Sequence, residues 1–196
     1  IVTTGFELPQ AEVNCAKCGQ CATVCPVGAI TEVSDLEHVW AALDDPNKHV
    51  VVQAAPSIQV SIGEEFGLEP GTVVTGKLIA ALRRLGFNGV FSTEFSADLT
   101  ILEEGNEFIQ RIKGNKNLPH ITSCCPGWVK YAEQNYGDLL HHLSTAKSPQ
   151  QMFSTITKTY YAEQNKIRPE NIFSVSIMPC TAKKYEKSRE EHSDSG

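Results

Sequence analysis

The chain has 196 residues, of which 41% are hydrophobic and 20% charged, ordinary globular usage that excludes an intrinsically disordered protein. Lys and Arg number 17 against 23 Asp and Glu, a net charge of -6, so the basic face that binds nucleic-acid phosphates is missing and no nucleic-acid partner is expected. No apolar run approaches the roughly 20 residues that span a bilayer, and no membrane partner is expected either. The N-terminal IVTTGFELPQ has neither the basic nor the apolar region of an export signal. It also lacks an initiator Met, and with the polar end KSREEHSDSG this raises the expectation of a piece of a longer chain.

Residues 1–31 read as a cysteine-rich module. Four of the seven cysteines, Cys15, Cys18, Cys21 and Cys25, fall in NCAKCGQCATVCPVGAI, that is C-x2-C-x2-C-x3-C-P. This is the bacterial ferredoxin spacing for a 4Fe–4S cluster. Thiolates held so close repel one another unless a cation lies between them. Gly19 permits a turn that a Cβ would obstruct, and Pro26 redirects the chain. Loops this short, and an odd cysteine count, suit a disulfide framework poorly. Zinc is the weaker alternative, because its sites usually combine two separated ligand pairs and no second pair lies nearby. In two-cluster ferredoxins the fourth Cys of such a run serves the other cluster, so Cys25 would ligate a sister cluster whose motif is expected upstream of Ile1.

A polar stretch from Thr31 to Asp35 leads into residues 32–196, which read as one α/β domain. Ser34 and Glu37 have capping-box spacing before LEHVWAAL, a predicted helix that Pro46 ends. HVVVQAA is a β-branched run predicted as a strand, stopped by Pro56 and Ser57 and followed by helical SIQVSIGEEF. TGKLIAALRRLG is an amphipathic helix with Gly86 as its stop. GVFST is a short strand, and SADLTILEEGNEFIQRIKG a long helix to Gly114. PHITS is read as a strand running into Cys124, Cys125 and Pro126, with GWVKYAEQNY as the next helix. Ser148 and Gln151 have capping-box spacing with Pro149 at the first helical position, opening MFSTITKTYYAEQN. NIFSVSI is the last strand, ending at Met178, Pro179 and Cys180. Strands alternating with helices imply a largely parallel sheet flanked by helices.

Three strand-like runs thus end in AAPS, TSCCPGW and IMPCTAKK, each followed by a helical pattern. In open α/β sheets ligands bind outside the carboxyl ends of the strands, and right-handed crossovers keep those ends on one side. Cys125 and Cys180 can therefore meet although they are far apart in sequence. The helix starts that follow direct free N–H groups at whatever anion sits there.

TSCCPGWVKYAE and MPCTAKKYE resemble the first two cofactor-binding signatures of the iron-only (FeFe) hydrogenases. The ferredoxin-type run, the AAPS tip and the KSPQQ helix start follow in that family's order, and the resemblance extends from about Asn14 onward. It implies the N-terminal part of an FeFe-hydrogenase-like catalytic domain at 32–196, preceded by the C-terminal part of a ferredoxin-like 4Fe–4S module at 1–31. The family's third signature, a Cys-x3-Cys pair, is expected beyond Gly196. The implied cofactors are 4Fe–4S clusters and the H-cluster, a 4Fe–4S cubane linked through a thiolate to a di-iron unit with CO and cyanide ligands. The implied activity is reversible reduction of protons to H2, with ferredoxin or another electron carrier and maturation proteins for the di-iron unit as partners. A cytoplasmic location in an anaerobic setting is expected, and this stretch alone is expected to be inactive.

Residue by residue, the resemblance implies Cys125 and Cys180 as two of the four cubane ligands and Cys124 as the thiol passing protons to the di-iron unit. Adjacent side chains of an extended segment point opposite ways, so the two neighbours can hold different tasks. Lys183 matches the cyanide-binding lysine, Pro56 and Ser57 the other cyanide-side contacts, and Met178 and Gln150 residues lining the di-iron pocket. The implied proton route beyond Cys124 is Glu104, Ser144 and Glu107, with Arg111 at its outer end. Glu104, Glu107 and Arg111 share one helix face by their spacing.

Spacing alone leaves alternatives. Cys125 and Cys180 could be buried structural cysteines, Glu104 and Glu107 a solvated face with an ordinary Glu107–Arg111 pair, and Lys183 a surface lysine. A non-enzymatic hydrogenase-like iron–sulfur assembly protein shares the resemblance, but such relatives lack the proton-donating Cys, and this sequence has Cys124. The same residue weighs against a sensory hydrogenase. Two full catalytic-type motifs weigh against a simple ferredoxin.

Overall fold

The computed structural model describes residues 5–10 and 12–195, so the module expected at 1–31 lies partly outside the described residues. The chain divides into two compact units. One, the cysteine unit, comprises Ile1–Val33, Ile101–Ser148 and Cys180–Arg189; the other, the sheet unit, comprises Ser34–Thr100, Pro149–Pro179 and Glu190–Gly196. Every cysteine of the chain falls in the first.

The sheet unit is built on three parallel strands, β1 (His49–Ala54), β2 (Gly89–Ser92) and β3 (Ile172–Ile177), in the order β2-β1-β3. Val50, Val51 and Val52 put β1 in the middle, because a strand covered on both faces needs side chains that are apolar on both. Helices α2 (Leu36–Asp44) and α4 (Thr75–Arg84) cover one face, where Ala42, Leu78, Leu82 and Phe87 bury against Val50, Val52 and Ala54. On the other, Phe153 of α7 (Pro149–Ile156) and Ala162 of α8 (Ala162–Asn165) bury with Val51 and Ile172. A wide π turn at Thr157–Tyr161 separates α7 from α8 in the stretch predicted as one helix. Gly86, at φ 105°, stops α4 where the sequence places the stop.

The remaining helices are α1 (Gln20–Val24), α3 (Pro56–Ser61), α5 (Thr93–Gly114), α6 (Pro126–Asn135) and α9 (Thr181–Lys187). Among the described residues none is long and apolar enough to cross a membrane. The predicted fold class, a parallel sheet with flanking helices, is the one observed.

Three local expectations need correction. PHITS is not a strand: Pro119 has no N–H to give, and only Ile121 pairs, in an isolated bridge to Leu143. Ser34 and Glu37 do not close a capping box; Asp35 takes the cap position, and the Ser34 hydroxyl accepts from the Leu36 N–H at 3.3 Å. Helix α5 begins at Thr93, directly after β2, where the Ser96 hydroxyl donates back to the Thr93 carbonyl at 2.8 Å.

Candidate functional site

In the cysteine unit, Cys125 ends an extended segment and caps α6, its Sγ accepting from the Trp128 N–H at 3.4 Å, with Pro126 opening the helix. Cys180 occupies the same position before α9, in extended backbone. The two helix starts meet at Gly127. A Cβ there would lie 4.0 Å from Cys125 Sγ, 3.8 Å from Ala182 Cβ and 3.5 Å from the Ala16 carbonyl, ordinary contact distances to three cysteine-bearing segments. The helix starts that follow Cys125 and Cys180 thus lie together, and Cys124, Cys125 and Cys180 are all exposed free thiols.

The ferredoxin-spaced loop seats against the same tips. Gly19, at φ 77°, faces Thr181 so closely that a Cβ would fall 2.2 Å from its Oγ1. Thr181 donates to the Lys17 carbonyl at 3.4 Å, and Lys184 donates to the Val33 carbonyl. Within the loop, the Lys17 N–H donates to Cys15 Sγ at 3.4 Å and the Ala29 N–H to Cys25 Sγ at 3.2 Å. The Gln10 amide reaches Cys15 Sγ at 3.4 Å and Cys21 Sγ at 4.0 Å, which sets those two sulfurs on one side. Backbone N–H groups of Val27, Ile30 and Ala29 hold the Cys25 thiol below its ordinary value against a smaller effect of burial.

Among the described residues no three Cys, His, Asp or Glu side chains are grouped tightly enough to hold a metal ion on their own. The donor chemistry of the loop still fits an iron–sulfur cubane. It offers four free thiols, Cys15, Cys18, Cys21 and Cys25, with backbone amides already directed at the sulfurs of Cys15 and Cys25. At the tips, Cys125 and Cys180 supply two thiols toward a cubane's four, with Cys124 a third free thiol beside them.

Lys183 stands at the Cys124 tip. Its Nζ donates to the Cys124 carbonyl at 2.8 Å and lies 3.2 Å from both carboxylate oxygens of Glu186. Glu186 is buried and accepts from the Ser148 hydroxyl at 2.9 Å. Sequence reasoning passed over Glu186, although its i, i+3 spacing from Lys183 within TAKKYE was the available signal.

Of the expected proton-route residues, the structure joins three and leaves one apart. The Ser144 hydroxyl donates to Glu107 at 2.9 Å and Arg111 donates to it at 2.6 Å, with the Thr145 N–H adding a third donor at 3.0 Å. Burial pushes the Glu107 carboxyl up, but the Thr145, Ser144 and Arg111 donors outweigh it and hold the group below the ordinary carboxylate value. Arg111 is itself buried, and its fork also donates to the carbonyls of Asn117, His142 and Leu143. The Glu107–Arg111 pair is thus not the solvated face that spacing alone allows. Glu104 is partly buried on the same helix and makes no hydrogen bond with the other three. Ser123, also missed from sequence, donates to the Ser144 carbonyl at 2.9 Å and so ties the segment before Cys124 to the Ser144 loop.

In the sheet unit, the four other expected residues gather at the carboxyl edge of the strands. Ala54 and Ile177 are register partners, and the Ala55 N–H donates to the Ile177 carbonyl at 3.1 Å. Pro56 and Ser57, exposed at the start of α3, therefore follow the same edge as Met178. Gln150 joins them through Gln53, a fully buried polar residue in β1. Gln53 donates to the Gln150 carbonyl at 3.1 Å and to Ser176 at 2.9 Å, and accepts from Thr93 at 3.1 Å. That network was hidden in sequence, where Gln53 reads as one polar residue in an apolar run.

Comparison with known proteins adds independent findings. The family described as the iron only hydrogenase large subunit, C-terminal domain, matches residues 48–195, and the 4Fe-4S binding domain matches residues 12–31. The NADP-reducing hydrogenase subunit HndD of Solidesulfovibrio fructosivorans is 52% identical over 202 residues, covering 100% of this chain and 34% of that protein. Iron hydrogenase 1 of Clostridium pasteurianum is 50% identical over 171 residues, 87% of this chain and 30% of its own. A solved FeFe-hydrogenase structure, concerned with loss of the H cluster 2Fe subcluster on oxygen inactivation, superposes with a TM-score of 0.77 at 44% identity over 81% of this chain and 41% of that one. The cytosolic iron-sulfur assembly component 3 of Bos taurus is 37% identical over 187 residues, 90% of this chain and 39% of its own. The chain thus spans between three-tenths and about two-fifths of the length of these relatives.

Proposed function

Because the chain belongs to the iron-only hydrogenase large-subunit family, we propose that its protein catalyses the reversible reduction of protons to H2. The single observation that carries this reading is the Cys124–Cys125 tip, with a free thiol beside the candidate ligand and Lys183 bound to its carbonyl at 2.8 Å. When bound, the H-cluster supplies the electron-transferring iron chemistry, a cubane joined to a di-iron unit. Cys125 and Cys180 would hold the cubane together with two further thiolates, and Cys15, Cys18 and Cys21 a 4Fe–4S cluster in the ferredoxin-like module, with Cys25 assigned to a sister cluster.

The chain's other residues do the work around the metal. Lys183 presents a compact positive charge to an anionic ligand, a task that suits an ammonium. Pro56, Ser57, Gln150 and Met178, gathered at the carboxyl edge of the sheet unit's strands, are the remaining cofactor-binding residues in this reading. Cys124 gives and takes the proton at its Sγ. Glu107, ionised at neutral pH, accepts a proton and exchanges it along the Ser144 hydroxyl, while Arg111 fixes the carboxylate. Glu104, one helical turn before Glu107 on the same helix, is assigned to the same relay by the family resemblance. Ferredoxin or another carrier delivers electrons, and the di-iron unit comes from maturation proteins. A reducing cytoplasm, under anaerobic conditions, is the matching location.

The rival reading, an iron–sulfur assembly component, is favoured by the 37% identical relative. Cys124 beside Cys125 supports the enzyme instead. The test is hydrogen evolution by the full-length protein with its clusters assembled and a low-potential donor supplied. Sustained evolution is expected, and none from a fully loaded protein would leave the assembly role.

A further inference from the structure

One buried carboxylate is used neither by the ligand set nor by the proton route. Glu186 is 3% exposed and lies one helical turn beyond Lys183 in α9. A carboxylate removed from water at that depth is costly unless a cation and hydrogen-bond donors meet it. Here the Ser148 hydroxyl stands at 2.9 Å and the Lys183 ammonium at 3.2 Å from each oxygen. The same ammonium donates to the Cys124 carbonyl at 2.8 Å. A line of contacts therefore runs from Ser148 through Glu186 and Lys183 to the backbone of the Cys124 tip. A lysine stem has many rotamers, and two partners held at Nζ, the Cys124 carbonyl and the Glu186 carboxylate, restrict it.

We infer that Glu186 is a positioning residue: it holds the Lys183 ammonium against the Cys124 tip and partly neutralises it, so setting how strongly that charge acts on an anionic ligand of the di-iron unit. The inference rests on the hydrogenase reading. Glu186 does not itself reach the ligand; it acts through Lys183. Second partners of this kind typically change metal-site affinity by about 10- to 100-fold when removed.

Five forms of the full-length protein test this: the parent, Glu186→Gln, Glu186→Asp, Lys183→Ala, and the Gln and Ala changes combined. Each is loaded with a synthetic di-iron dicyanide complex, then read by cyanide infrared bands and by di-iron iron retained after gel filtration. Glu186→Gln should keep the 4Fe–4S iron while shifting a cyanide band and lowering di-iron retention about 10-fold or more. Glu186→Asp, which keeps the charge, should recover part of both. The combined variant should match Lys183→Ala alone, because Glu186 acts through that residue. Parental bands in Glu186→Gln, or losses that add in the combined variant, overturn the assignment. A parent that retains no di-iron unit overturns the hydrogenase reading instead, a distinct result. Should the Gln form fail to fold, the Asp form still decides, since unchanged bands there with a shortened side chain contradict the inference.

Discussion

Glu107 draws donors from three directions, the Ser144 hydroxyl, the Thr145 amide and the Arg111 guanidinium, and each favours its charged form over the neutral one. Its carboxyl is held below the ordinary value in the folded protein, although burial works the other way. A group whose folded value is depressed stabilises the fold above its unfolded pKa of about 4.3 and loses that contribution as pH falls through the folded value. Glu107→Gln should therefore cost about 2 kcal/mol near pH 7, the scale of hydrogen bonds to a charged group. The gap from the parent should close as pH drops below about 4. Urea unfolding midpoints at several pH values check this; a gap independent of pH would contradict it. Arg111→Lys should also be destabilising despite keeping the charge, because an ammonium cannot reproduce a fork that meets Glu107 and the carbonyls of Asn117, His142 and Leu143. A shift to earlier thermal unfolding is expected, and an unchanged midpoint would show that the fork is dispensable.

At the scale of elements, the cysteine loop and α9 depend on glycine at one point. Gly19 combines a left-handed backbone, φ 77°, with an approach that would put a Cβ 2.2 Å from Thr181 Oγ1. Gly28 is also left-handed, φ 61°, but nothing lies within 4 Å of its would-be Cβ. Gly19→Ala should therefore displace the loop from α9 and lower its iron content, whereas Gly28→Ala should show only the smaller cost of backbone strain. Equal iron loss in both would assign the effect to strain and not to docking. Much of this layout was legible in sequence. The valine run of β1 and the alternation of strand and helix carry enough periodicity to be read directly. So do the Pro-marked helix starts at Pro56, Pro126 and Pro149. What stayed hidden depends on long-range pairing. PHITS has strand-like residues but finds one bridge partner, Leu143, and Gln53 becomes a hub only because Gln150, Ser176 and Thr93 arrive from distant segments. Glu186 likewise looks like a surface residue of a lysine-rich turn until Ser148 folds over it.

At the scale of the whole molecule, the two units are stabilised differently. The buried apolar residues of the sheet unit include Val50, Val51, Val52, Leu78, Leu82, Phe87, Phe153 and Ile172, whereas the cysteine unit buries Ala132 and Ala182 among its described apolar residues. It relies instead on charged hubs: Arg111 with Glu107, Lys183 with Glu186, and Arg189 with Glu133 at 2.5 Å. A unit with so little apolar burial gains most from bound metal, as ligand binding stabilises the folded form alone. Anaerobic removal of iron should thus raise hydrogen exchange across residues 12–31 and the 121–130 tip while the amides of Val50 to Val52 stay protected. Uniform loss of protection would contradict that division. The most direct test of the central claim is hydrogen evolution by the full-length, cluster-loaded protein with Cys124→Ser beside the parent. Iron content near normal with turnover reduced at least about 100-fold, the range a lost general acid accounts for, is the predicted result. Parental turnover in the serine variant would contradict the account.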